Sequence, residues 1–346
     1  MSLRLISLLS LAVSTVILPQ CHSAGDGNHG AIMSNVDDLN TDDVGAVRER
    51  YSSLDHASSS SMASLTKALE NDSRVRVRAN AATALDALPI MDIFGKGAFA
   101  QNRSDIRRSL IRALDDSAPA VQARAANALA QHDLDDRDAR AALEKHLPQL
   151  RTALANPDER VADDALWALR TMQVPLPLDV LLRSQSARFR ETGVEQAGLA
   201  PNPAVVPLIV EIALRDPALT VRQRAIPVVT QQLPAGERDK LLGQLIDDAD
   251  EQVAADAADA AAEAGAVAVA PRLRQIVAKA GATRVCAAIR ALAKMRDVAS
   301  VPTIAAHLND EPMTRGEASL ALNALVGPRR AYTEWQAWAR EKRYLP

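Results

Sequence analysis

The residues of this chain that could do chemistry are six histidines, two cysteines and a few acidic clusters. Metal-assisted hydrolysis needs a close pair of ligands on one helix face, as in His-Glu-x-x-His. His22, His29, His56, His132, His146 and His307 form no such pair, and no His-Glu dipeptide occurs. Cys286 follows Val285 inside an apolar helical pattern, where a thiol acts as a small hydrophobe rather than a nucleophile. Gly25-Asp26-Gly27-Asn28-His29-Gly30 fits G-x-G-x-x-G. A dinucleotide site would need a strand before it and a helix after it, and the sequence offers neither. Asp38, Asn40, Asp42 and Glu49 have the ligand spacing of a calcium loop. The sixth position, however, is Asp43 rather than the glycine that the sharp turn requires, and the eighth is Gly45 rather than an apolar residue. The plainer reading is that Thr41, Asp42 or Asp43 caps a helix. No Gly-x-Ser-x-Gly and no P-loop is present. No catalytic set converges, so the expected function is binding.

The elements that would position a binding surface follow from composition. Of 346 residues, 48% are hydrophobic and 24% charged, a globular balance. Aromatics are only 3%, so the core must be built from Ala, Leu and Val. Ala and Leu favour helices, and Ala lets helices approach closely. The net charge of −3 argues against a nucleic-acid binder, which needs a basic excess.

One pattern recurs along the chain: a turn residue, an apolar anchor five positions later, then apolar or small residues at anchor +4, +7 and +8. Asp72 leads to Val77, Ala81, Ala84 and Leu85; Asp116 leads to Val121, Ala125, Ala128 and Leu129. Further anchors are Val161, Val221 and Val253, with weaker copies at Phe189, Val285 and Thr314. Four successive anchors, 189, 221, 253 and 285, are spaced by 32 residues. The +4, +7, +8 spacing marks one helix face. Apolar stretches such as Leu65–Leu69, Leu110–Leu114 and Leu241–Leu245 precede the anchors, so each unit is a pair of helices. One pair cannot bury its own apolar face, whereas stacked pairs make a continuous core.

Leu69, Asp72, Val77, Arg78, Ala81, Ala84 and Leu85 carry a pattern that resembles HEAT repeats of the phycobilisome-lyase-like type. The resemblance covers residues 62–327 and implies an all-α solenoid of about eight helical hairpins. It also implies that the turn acid and the Arg after the anchor pair along the array. Asp72/Arg78 and Asp216/Arg222 keep both residues; Asp116/Gln122 and Asp248/Ala254 keep only the acid; Asn156/Ala162 keeps neither. Pairs of this kind, if exposed, stabilise by only about 0–1 kcal/mol each. The paired metal motifs of HEAT-repeat hydroxylases are missing.

Outside the repeats, Arg4 and the apolar run Leu5–Leu18 read as an export signal spanning 1–24, too short to cross a bilayer. Leu18-Pro19-Gln20-Cys21 resembles a bacterial lipoprotein box, with Gln20 where a small residue is usual. Two readings stand: lipidation of Cys21, or ordinary cleavage after Ser23 or Ala24. Either way Cys286 has no intramolecular partner. Residues 25–61 read as a flexible tether around one short helix near Val44–Leu54. Residues 90–104, with Phe94 and Phe99, read as a loop that interrupts the repeats. Tyr332, Trp335 and Trp338 share a face of a C-terminal helix, within 328–346, that would cap the array.

If the anchor, +4, +7 and +8 positions face the core, then +3 and +6 should face the concave side. Trp167 is the only aromatic in either series. Its expected neighbours on the groove are Arg124, Asn127, Asp164 and Glu195, with Arg224 beyond. An aromatic ringed by polar groups has the composition of an interface hot spot. The expectation is therefore an exported, monomeric, non-catalytic scaffold for a protein or peptide. It would hold no cofactor or metal, bind no nucleic acid, and touch the membrane only through a lipidated Cys21. The alternatives are a lyase-like enzyme or accessory, as the resemblance implies, and a calcium-dependent assembly module using Asp38, Asn40, Asp42 and Glu49. Intact-mass measurement on the native protein should show that the residues ahead of Cys21 have been removed. A diacylglyceryl mass on Cys21 would select lipidation.

Overall fold

The computed structural model describes residues 36–52, 59–88, 98–279, 282–327 and 331–345. The export signal, and with it Cys21, lies outside them. No strand occurs among the described residues. A short helical turn, Val36–Leu39, precedes α1 (Val44–Tyr51). Eight helical hairpins follow. They are α2 (Ser59–Asn71) with α3 (Val75–Ala87), and α4 (Ala98–Ala113) with α5 (Pro119–His132). The third joins the broken helix α6 (Arg137–Lys145) and α7 (Leu147–Ala153) to α8 (Glu159–Thr171). The next are α9 (Leu178–Leu182) with α10 (Ala187–Leu199), and α11 (Val206–Arg215) with α12 (Leu219–Gln232). Then come α13 (Ala235–Leu245) with α14 (Glu251–Glu263), α15 (Ala270–Lys279) with α16 (Ala282–Lys294), and α17 (Val301–Ala305) with α18 (Pro312–Val326). A last helix, α19 (Tyr332–Glu341), closes the array.

The turn residue earns its place through its side chain. Asp72, Asp116, Asn156, Asp216 and Asp248 each accept the N–H two residues on, at 2.8–2.9 Å. Only a short side-chain oxygen can close that turn. The five strong anchors are buried, as are their +4 and +8 residues. The second helices stack on one another: α3 on α5, α5 on α8, α10 on α12, α12 on α14, α14 on α16 and α16 on α18. The first helices touch their neighbours far less. The row whose members approach more closely lies on the inside of a curved stack, so the second helices form the inner row. The array is an α-solenoid of HEAT-like helical repeats.

The Arg after the anchor pairs with the turn acid of the next repeat. Arg78 holds Asp116 at 2.8 and 3.0 Å, Arg190 holds Asp216 at 2.6 and 2.8 Å, and Arg222 reaches Asp248 at 3.3 Å. These pairs are not the exposed kind the sequence suggests: the Arg78 and Asp116 side chains are 12% and 14% exposed. Burial pushes the Asp116 carboxyl up, but the Arg78 guanidinium and the Ala118 N–H outweigh it and hold it below the usual carboxylate range.

Two segments fold differently from what their composition suggests. Residues 36–52 are not a loose tether. Leu39, Val47 and Tyr51 are buried against the first repeat, and α1 packs on α3 as an extra member of the inner row. Asn80 donates to Leu39 O and Thr41 O, both at 2.8 Å. Arg48 pairs with Asp86, and Asp42 pairs with Arg76 and, from α8, Arg160. Polar composition concealed three apolar residues that meet one face. The 90–104 interruption is also shorter than expected, because α4 begins at Ala98 and Ile106 is buried. Phe94 lies outside the described residues. At the far end Trp335 is buried and meets Trp338 edge-on at 5.1 Å.

The core is divided. One cluster runs from Leu39 to Phe189 and the other from Leu182 to Leu345, with α9 giving Leu181 to the first and Leu182 to the second. Gly193 stands where the strong repeats carry Ala, since a Cβ there would lie 3.0 Å from Leu182 and 3.1 Å from Leu181. Ala225→Asp, at a fully buried +4 position, should cost about 3 kcal/mol or more by burying an unpaired carboxylate. A melting curve that matches wild type would contradict this packing.

Candidate functional site

The inner row carries the residues singled out for binding, and the structure divides them. Trp167, two turns into α8, is 52% exposed. Glu195 on α10 and Arg224 on α12 are exposed as well, and Arg224 lies 3.6 Å from Glu191. Arg124, Asn127 and Asp164 do not line an open groove. Arg124 donates to Asp164 at 2.5 Å and to Thr83 Oγ1 at 2.5 Å, and Asn127 donates to Asp164 at 2.8 Å. Together they form a polar seam that joins α3, α5 and α8. Burial pushes the Asp164 carboxyl up, and Arg124 and Asn127 offset this only in part.

The expectation that +3 and +6 face away from the stack holds for Trp167, Glu195, Arg224, Pro227 and Leu320 and fails elsewhere. Asn80, Thr83, Arg124, Asn127, Thr192, Ala288 and Ala291 are buried. The reason is the small side chains at neighbouring positions. Ala79, Ala82, Ala123 and Ala126 are buried between adjacent inner helices and let them close until their flanks meet. A helical wheel gives direction but not distance, so it could not show that these flanks would be covered.

Trp167 escapes because the inner row parts at that point. On α3 and α5 the +6 residues, Thr83 and Asn127, bond to the next inner helix. After α8 the next inner helix is α10, and the side-chain bonds between the two lie at their amino-terminal ends. Arg188 holds Asp163 at 2.7 Å, and Ser186 donates to Glu159 at 2.5 Å. Trp167, further along α8, is left on the surface.

The residues with calcium-loop spacing do not form a loop around one point. Asp43 caps α1 by accepting from Ala46 N, and Glu49 lies within the helix. Asp38 pairs with Arg50 and Asp42 with Arg76. Among the described residues no three His, Cys, Asp or Glu side chains are grouped to hold a metal ion. Cys286 is buried beside Thr314 Oγ1 at 3.6 Å.

No protein-family model matches the sequence. No curated protein matches it. Solved structures that resemble the fold include a protein of Escherichia coli, YibA, at 15% identity. That match has a TM-score of 0.47 and covers 83% of this chain and 97% of the other. Importin beta is similar at 15% identity and a TM-score of 0.46, over 87% of this chain and 46% of its own. The karyopherin Kap121p, in a complex with the extreme C-terminus of the protein phosphatase Cdc14p, is similar at 14% identity and a TM-score of 0.49. There the match covers 82% of this chain and 35% of the karyopherin.

The seam gives a test of its own. Asp164→Ala leaves the buried Arg124 without its counter-charge and should cost about 3 kcal/mol. Replacing both, Arg124→Met with Asp164→Leu, should recover most of that loss, because an apolar pair needs no desolvation. Denaturant melts of the three proteins would show it. A double variant no more stable than Asp164→Ala would refute the argument.

Proposed function

We propose that this protein is an exported, non-catalytic scaffold that binds a protein or peptide segment along the inner row of its solenoid. In this reading Trp167 is the anchor and Glu195 and Arg224 form the polar rim. The repeats are of the phycobilisome-lyase-like type, on the strength of Val77-Arg78-x-x-Ala81 and the arginine ladder it builds. The protein is periplasmic, or is held at the membrane through Cys21. The observation that carries the binding reading is Trp167, 52% exposed where the inner row parts. An exposed indole offers large contact area at little entropy cost, and Trp is enriched among interface hot spots. Arg124, Asn127 and Asp164 support that surface from below rather than touching the partner.

Crosslinking pull-down from the envelope fraction of the source cell, with wild type and Trp167→Ala in parallel, tests this reading. The variant should melt within about 1 °C of wild type, as expected for a surface change, and should lose the partner captured by wild type. Retained capture would remove Trp167 from the interface. A variant that melts several degrees lower would return the residue to a packing role.

A further inference from the structure

The arginine ladder has one missing rung. Arg78, Arg190 and Arg222 each use one guanidinium nitrogen on a carbonyl of their own turn. The bonds are Arg78 to Asp72 O at 2.9 Å, Arg190 to Ser184 O at 2.9 Å, and Arg222 to Asp216 O at 2.8 Å. Two further nitrogens of Arg78 and of Arg190, and one of Arg222, reach the acid of the next turn. On α5 the position is Gln122, whose amide donates to Asp116 O at 2.5 Å. On α14 it is Ala254, yet an arginine still arrives there: Arg284 reaches back from α16 to Asp248 O and, at 3.0 Å, to Ala249 O. On α8 the position is Ala162, and the next turn begins with Ser184 instead of an acid. The counterpart of Arg284 is Arg188, just ahead of the Phe189 anchor. It turns aside to Asp163 and lies 6.0 Å from the centre of the Phe189 ring.

The consequence is a cleft of about 570 Å³ between the α7–α8 turn and the α9–α10 turn. Asn156, Ala162, Ser184 and Phe189 line it, with Glu159 and Asp179 on its walls. Among the described residues no donor reaches Asn156 O or Pro157 O, the two carbonyls that correspond to those Arg284 takes. Arg183 also borders the cleft, so two carboxylates face one cation there.

We propose that this cleft binds the guanidinium of an arginine presented by a partner polypeptide. The frame is one that this fold fills with arginine at four other steps. It offers backbone carbonyls in the same places and the Ser184 hydroxyl in place of the acid. Glu159 and Asp179 supply the negative charge that Asp116, Asp216 and Asp248 supply elsewhere. A planar guanidinium spreads five donors in a fixed fork and can span separated acceptors, whereas an ammonium carries three donors on a single point. The site is separate from the proposed groove. Ala162 and Trp167 are five residues apart on α8 and so point to different sides of it.

The probes are the peptides Ac-Ala-Arg-Ala-NH2 and Ac-Ala-citrulline-Ala-NH2, the second a neutral isostere, titrated into the full chain and followed by amide NMR. The arginine peptide should give saturable shifts at Ala162 and at Ser184–Ser186. Citrulline should bind about ten-fold or more weakly, since it loses the charge-assisted hydrogen bonds. Ala162→Arg supplies the missing rung from within the chain. It should abolish the shifts while melting at or above the wild-type temperature. Glu159→Gln with Asp179→Asn should weaken binding without moving the melt. Equal binding of the two peptides overturns the proposal, as does undiminished binding by a natively folded Ala162→Arg. Shifts confined to the surroundings of Trp167 also overturn it while leaving the groove reading intact.

Discussion

The close approach of successive inner helices is the contact on which the rest of the molecule depends. It is made by alanines: Ala79 and Ala82 on α3, Ala123 and Ala126 on α5, Ala255 and Ala258 on α14, all buried. Small side chains bring backbones near enough for dispersion to act along whole helices, and burial of apolar surface then stabilises each step by about 25 cal/mol per Å². The directional interactions sit at the margins of this contact. On the turn side the ladder of Arg78–Asp116, Arg190–Asp216 and Arg222–Asp248 fixes how far one repeat rotates on the next. On the inner side the seam of Thr83, Arg124, Asp164 and Asn127 fixes how closely α3, α5 and α8 lie. Neither would form if the helices stood a leucine's width apart.

The anchors and their +4, +7 and +8 companions were readable from the sequence because helical periodicity is a local property. What depends on distance between elements was not. Residues 36–52 looked unstructured because Asp, Gly and Ser dominate them, yet Leu39, Val47 and Tyr51 suffice to dock α1. Arg124, Asn127 and Asp164 were assigned to the right side of their helices but to the wrong depth. Trp167 belongs to the same series and stands where the next inner helix is not drawn up along it. The cleft beside Ala162 did leave a mark in the sequence, since that repeat lacks both ladder residues. Its meaning lies in the arginines that fill the equivalent space in other repeats, a relation between elements that no single repeat contains.

The step from α8 to α10 is where the repeat grammar relaxes. The first helix shrinks to α9, five residues long, after a stretch that holds Pro175, Pro177 and a left-handed Gln173 (φ 56°). Gly193 lets α10 press on α9 in compensation. The exposed indole and the open rung are both products of this one irregular step, on different sides of it. A repeat that departs from its neighbours frees surface for other use, because side chains no longer needed to join repeats can meet something else.

The division of the core has a thermodynamic meaning. In a stacked array each repeat is held by its neighbours, so cooperativity travels only as far as the contacts between repeats are strong. The break between Leu181 and Leu182 is a weak link in that chain of couplings. Coupling between the halves runs through α9 and through the bonds Arg188–Asp163 and Ser186–Glu159, so this is the step at which cooperativity would first divide. A pull along the array would load that same joint, between Met172 and Ser186, where the contacts from one inner helix to the next are fewest.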